Sequence, residues 1–95
     1  MQRYLIERDL PSIGIASAED LKAAAIRSNQ ALAQLAPDIQ WIESYVTRDK
    51  TFCIYLAKDE AMVHKHAELS GFPATKISEV SKVIDPTTAG CAVEP

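Results

Sequence analysis

An α+β fold, one four-stranded antiparallel sheet with two helices on one face, is predicted by three features of the sequence. Four short segments rich in β-branched and aromatic residues are interleaved with two segments of helical period, in the order β-α-β-β-α-β. Proline, glycine, aspartate or serine punctuates the ends of these elements. At 95 residues there is length for one core and no more. The order is the split βαβ, or ferredoxin-like, motif, with the first and third strands in the middle of the sheet. The domain is expected over residues 1–86, with an irregular tail over 87–95.

Arg3 to Leu10 forms the first strand, which Pro11 ends. PSIGIAS is a loop, and Ser17 starts a helix with Asp20 placed to complete a capping box. Leu21, Ala24 or Ala25, Ser28, Leu32 and Leu35 fall on one stripe, so this helix buries one side before Pro37-Asp38 closes it. IQWIESYVT and KTFCIYLA form the second and third strands, and Arg48-Asp49 between them suits a tight antiparallel reversal. Asp59 caps a second helix that runs to about Ser70, where Gly71 and Pro73 stop it. ATKISEVSKVI is the last strand, ended by Asp85-Pro86.

Both helices cover one face, which leaves the other bare in a monomer. The strands are not amphipathic: Tyr4-Leu5-Ile6 and Phe52 through Leu56 are unbroken apolar runs, as in strands buried on both faces. Trp41, Tyr45 and Tyr55 add more aromatic surface than a monomer usually exposes. A homodimer through the open sheet face, a dimeric α+β barrel, is therefore expected.

Bulk properties exclude several classes. A net charge of −3 without a Lys/Arg cluster argues against nucleic acid. No apolar run approaches a membrane span, and the N-terminus lacks signal-peptide character. A cytoplasmic location is expected, with Cys53 and Cys91 reduced.

Chemistry-bearing residues are few. His64 and His66 stand two apart on a helix, about 200° from each other, and cannot chelate one ion together. His66 shares a side with Met62, Val63 and Ser70, which should meet the sheet; His64 lies with Glu60 and Glu68 toward solvent. A histidine facing a core is a hydrogen-bonded structural residue or a ligand, and both readings stay open. Glu7 lies inside a central strand, where a carboxylate must be paired or coordinated. Arg8 points to the opposite face. Cys53 is a small buried hydrophobe or a soft donor. Tyr45 and Tyr55 are packing residues or pocket residues.

Together Glu7, Cys53 and His66 offer a carboxylate, a thiol and an imidazole, a donor set suited to a borderline divalent transition metal. Diagnostic motifs such as C-x-x-C, H-x-x-x-H or a glycine-rich phosphate loop are missing. The trio is one site only if the odd positions Leu5, Glu7, Cys53, Tyr55 and Ala57 face the helices. The small size of Cys53 and Ala57, leaving room for a cavity, favours that arrangement.

The strings RYLIER, WIESYVTRDKTFCIYLAKDE, HAELSGFPA and VIDPTTA resemble a small bacterial family of nickel-binding proteins of the streptomycete type, otherwise catalogued as a domain of unknown function. The resemblance runs from Arg3 to about Ala89 and is most distinctive between Trp41 and Ala74. It implies a ferredoxin-like fold, a homodimer and a bound nickel ion, with Glu7, Tyr45, Cys53, Tyr55 and His66 in place. It does not say which of them bind the metal, and Cys91 lies beyond it. Two functions follow: nickel binding without turnover, for storage, buffering or sensing, or a small cofactor-independent oxygenase or isomerase. In the enzyme, Glu7, Tyr55 and His66 would serve a pocket between sheet and helices as base and proton donors.

Overall fold

The computed structural model describes residues 1–90. Four strands, β1 (Gln2–Asp9), β2 (Ile39–Val46), β3 (Lys50–Ala57) and β4 (Lys76–Val80), form one antiparallel sheet in the order β2-β3-β1-β4. Helices α1 (Ala18–Leu35) and α2 (Glu60–Ser70) complete the β-α-β-β-α-β order. This is the expected ferredoxin-like arrangement, with β1 and β3 central.

Local chemistry fixes the element ends. Ser17 and Asp20 form the capping box of α1, Asp20 N donating to Ser17 Oγ at 3.0 Å and Ser17 N to Asp20 Oδ2 at 3.4 Å. Asp59 accepts from Met62 N at 3.1 Å and caps α2, while Gly71 ends it in the left-handed region at φ 79°. Thr47 N donates to Lys50 O at 2.9 Å, which closes the β2–β3 hairpin around Arg48-Asp49. Gly14 packs onto that hairpin: a Cβ there would stand 2.8 Å from Arg48 Cα.

Two boundaries differ from expectation. β4 spans five residues rather than the whole of ATKISEVSKVI, and residues 81–85 are irregular. Thr75 Oγ1 instead accepts from Asp9 N at 2.9 Å beside the end of β1. At the junction with the expected irregular tail, Pro86–Ala89 forms a short 3-10 helix with Asp85 as its cap.

The core lies between the sheet and the two helices. Ile6, Val63 and His66 are its largest fully buried side chains, and Tyr4, Ile39, Cys53, Tyr55 and Ala57 pack with them. Leu32 and Leu35 of the α1 stripe press on this cluster. No helix among the described residues is long and apolar enough to cross a membrane. Ile6→Ala removes a side chain with no solvent exposure from the middle of the sheet. It should destabilise the fold by about 3 kcal/mol in urea titrations.

Candidate functional site

The helix-facing surface is set by strand register. Tyr4 pairs with Tyr55, Ile6 with Cys53 and Arg8 with Thr51 across β1 and β3, and all six are buried. Leu5 and Glu7 pair with Ile54 and Phe52 and lie on the other face, half-exposed. The odd-numbered set is therefore split: Cys53, Tyr55 and Ala57 face the helices, whereas Leu5 and Glu7 do not. Antiparallel partners share a face, and here even positions of β1 partner odd positions of β3. The expected chamber of Glu7, Cys53 and His66 is thereby corrected, since the sheet separates Glu7 from the other two.

On the helix side lies a half-open apolar cavity of about 270 Å³. Cys53, Tyr55 and Thr51 line it from β3, Trp41, Ser44 and Val46 from β2, and Ala24, Ala25 and Ser28 from α1. A bulge between Trp41 and Glu43 lets β2 present both Trp41 and Ser44 to this side. Trp41 Nε1 donates to Ser44 Oγ at 2.9 Å. Phe72, just beyond α2, closes one edge.

One charged residue borders the cavity. Arg8 is 2% exposed and donates through Nη1 to Pro73 O at 2.8 Å and Phe72 O at 3.4 Å. Its Nη2 is buried with no hydrogen-bond partner, and no carboxylate among the described residues is within salt-bridge distance. Sequence reasoning did not single out Arg8 as a site residue. The available signal was a cation in strict alternation with Tyr4 and Ile6 on a face that must be covered.

His66 is 1% exposed, its Nε2 3.1 Å from Ser28 Oγ and its ring centroid 5.1 Å from that of Tyr55. Burial, then the nearby Arg8 charge, hold its pKa down at about 4, against a smaller opposing effect of Ser28. Its Nδ1 has no partner, so protonation would place an N–H where no acceptor stands. Burial likewise raises the Tyr55 hydroxyl, and Arg8 and Ser28 partly offset this. His66 and Cys53 thus lie on the same side of the sheet, as elements of a neutral, electropositively biased core.

On the opposite face, Glu7 Oε1 accepts from Lys50 Nζ at 2.6 Å, and Asp9 Oδ1 lies 3.3 Å from the same ammonium. These carboxylates raise the Lys50 pKa. Tyr45 is 57% exposed and stands opposite Phe52 on this face, its hydroxyl donating to Glu43, so it lines no helix-side pocket. Of the three aromatic residues expected to crowd the open face, only Tyr45 is there, because Trp41 and Tyr55 turn inward.

A divalent cation does not fit the chamber. It would approach a buried guanidinium with no carboxylate to offset the repulsion. No group of three or more His, Cys, Asp or Glu side chains is gathered anywhere among the described residues. An exposed imidazole–carboxylate pair stands on the outer side of α2, where His64 Nε2 is 3.4 Å from Glu60 Oε2. Cys91 lies outside the described residues.

The depressed pKa of His66 makes stability pH-dependent. The unfolded chain binds the proton near pH 6.5 and the folded chain only near 4. This contribution is therefore intact above pH 6.5 and is lost as pH falls toward 4. Urea titrations at pH 7 and pH 4.5 should show His66 removing about 2 kcal/mol. A His66→Gln variant should lack that component of the pH dependence.

Comparison with known proteins places this geometry in a family. A solved structure with the same fold is the crystal structure of SCO4226 from Streptomyces coelicolor A3(2), with a TM-score of 0.73 at 13% identity. The match covers 86% of this chain and 99% of that one, and at such identity it speaks to the fold alone. No curated protein matches the chain. The model of the family described as nickel responsive protein SCO4226-like matches residues 4–80, and the chain belongs to that family.

Proposed function

We propose that this chain is a cytoplasmic nickel-binding protein without turnover, serving storage, buffering or sensing, and that it takes the ion on its surface. Membership of a family described as nickel responsive supports the metal. The observation that carries the location is the exposed His64–Glu60 pair, four residues apart on one side of α2. An imidazole and a carboxylate at that spacing suit a borderline divalent ion whose remaining positions are filled by water. The interior offers the opposite environment, since Arg8 is the charge that borders the cavity.

The enzyme reading loses its base. It relied on Glu7, which is held by Lys50 on the far side of the sheet. His66, neutral and bonded to Ser28, is suited to packing at neutral pH.

A homodimer through the open face is part of the same proposal. Leu5, Phe52, Ile54 and Leu56 form a contiguous half-exposed apolar row on the two central strands, with Glu7, Lys50 and Tyr45 beside it. A second copy laid over that row would bury it and flank it with opposite charges.

Two measurements test this. In calorimetric titration with nickel, His64→Ala should weaken binding about tenfold or more, while His66→Ala leaves it unchanged. The reverse pattern would put the ion inside the chamber, and no binding tighter than about 0.1 mM would remove the nickel reading. Sedimentation should give the mass of a dimer for the wild type and of a monomer for Ile54→Glu; a wild-type monomer at micromolar concentration would count against the pairing.

A further inference from the structure

We propose that the cavity between the sheet and α1 binds a small monocarboxylate with an apolar body, and that Arg8 recognises its charge. This goes beyond nickel binding and does not depend on it. Arginine remains ionised at any pH a protein meets. A buried guanidinium without a counter-charge is costly, and an anion that meets it removes that cost. Here Nη1 is satisfied by two backbone carbonyls, while Nη2 is closed off from water with nothing to donate to. A carboxylate lodged at the Arg8 end supplies the missing charge, and a small rotation of the guanidinium toward the cavity lets Nη2 donate to it.

The remainder of the cavity selects the body of the ligand. Ala24, Ala25 and Leu21 of α1, with Trp41 and Val46 of β2, give walls without charge. Its volume of about 270 Å³ exceeds the roughly 150 Å³ cavity that takes up benzene, so an aryl or short branched acyl group with its carboxylate is accommodated. Ser28, Thr51 and Tyr55 bring hydroxyls to the lining, and Cys53 adds a thiol. An inorganic anion satisfies Arg8 but leaves the apolar walls empty; a neutral arene does the reverse. Only the combination uses both.

The Gly71–Pro73 segment ties this site to the fold. Arg27 donates to Ser70 O at 3.1 and 2.8 Å and stacks over the Phe72 ring at 4.5 Å, while Arg8 stands 5.9 Å from the same ring. Phe72 is thus held between two cations at the edge of the cavity, so the wall beside Arg8 is set by packing.

Titration calorimetry of the full chain at pH 7, without added metal, tests the proposal with benzoate, benzamide and inorganic phosphate. Benzoate should bind with a Kd below about 1 mM, benzamide about tenfold more weakly, and phosphate more weakly than either. Arg8→Met should bring benzoate down to the benzamide level. Ala25→Phe, which keeps Arg8 and fills the space, should abolish both. Equal binding of benzoate and benzamide, wild-type affinity for benzoate in Arg8→Met, phosphate as tight as benzoate, or no benzoate binding would each overturn it. If Arg8→Met does not fold by circular dichroism, the benzoate-to-benzamide ratio and Ala25→Phe decide.

Discussion

In the pairing of β1 with β3, every even-numbered position of one strand stands opposite an odd-numbered position of the other. That register decides which side chains can meet anywhere in the protein. It places Tyr4, Ile6 and Arg8 with Thr51, Cys53 and Tyr55 under the helices, and Leu5 and Glu7 with Phe52 and Ile54 on the far side. A slip of one residue would exchange the two sets, exposing Ile6 and burying Glu7, which the hydrophobic core forbids. The register is further pinned at one end, where Lys50 spans Glu7 and Asp9 and Leu10 N donates to Asp49 O. The cavity, the neutral histidine and the open apolar row all follow from it.

Elements were legible from sequence because local chemistry specifies them. Ser17 and Asp20, Asp59 and Gly71 act within four residues of themselves, and the Arg48-Asp49 reversal is closed by the local Thr47–Lys50 bond. The facing of Cys53 was harder to read, since Phe52 through Leu56 are apolar at every position and period two gives no preferred side. Parity along the chain has no meaning between strands until their register is known. The clue within β1 is Arg8, which alternates with Tyr4 and Ile6 and so shares the side that has to be covered. The orientation of His66 followed from helical period alone, because Met62, Val63 and Ser70 mark the buried side of α2.

Charge is partitioned by the sheet. Adjacent residues of a strand face opposite ways, so the Glu7-Arg8 dipeptide sends an anion to one side and a cation to the other. On the open side the anion is paired with Lys50 near solvent, where such pairs are weak but inexpensive. On the helix side the cation has only dipoles around it: two backbone carbonyls and the faces of Tyr55 and Phe72. The field of that cation reaches His66 and helps keep it neutral.

This partition bears directly on where a metal and an anion can reside. A dication needs several oxygen, nitrogen or sulfur donors and a local excess of negative charge, and the outer side of α2 offers a modest version with His64 and Glu60. The interior offers donors of suitable type in Cys53 and His66, but Arg8 reverses the sign of the potential they sit in. Charge, not the identity of the donor atoms, separates the two locations. A neutral imidazole is compatible with a cation fixed beside it and with an anion that arrives to meet it. Cys53 and His66 would have to displace that cation, or bring a carboxylate through the sheet, before they could hold a metal ion.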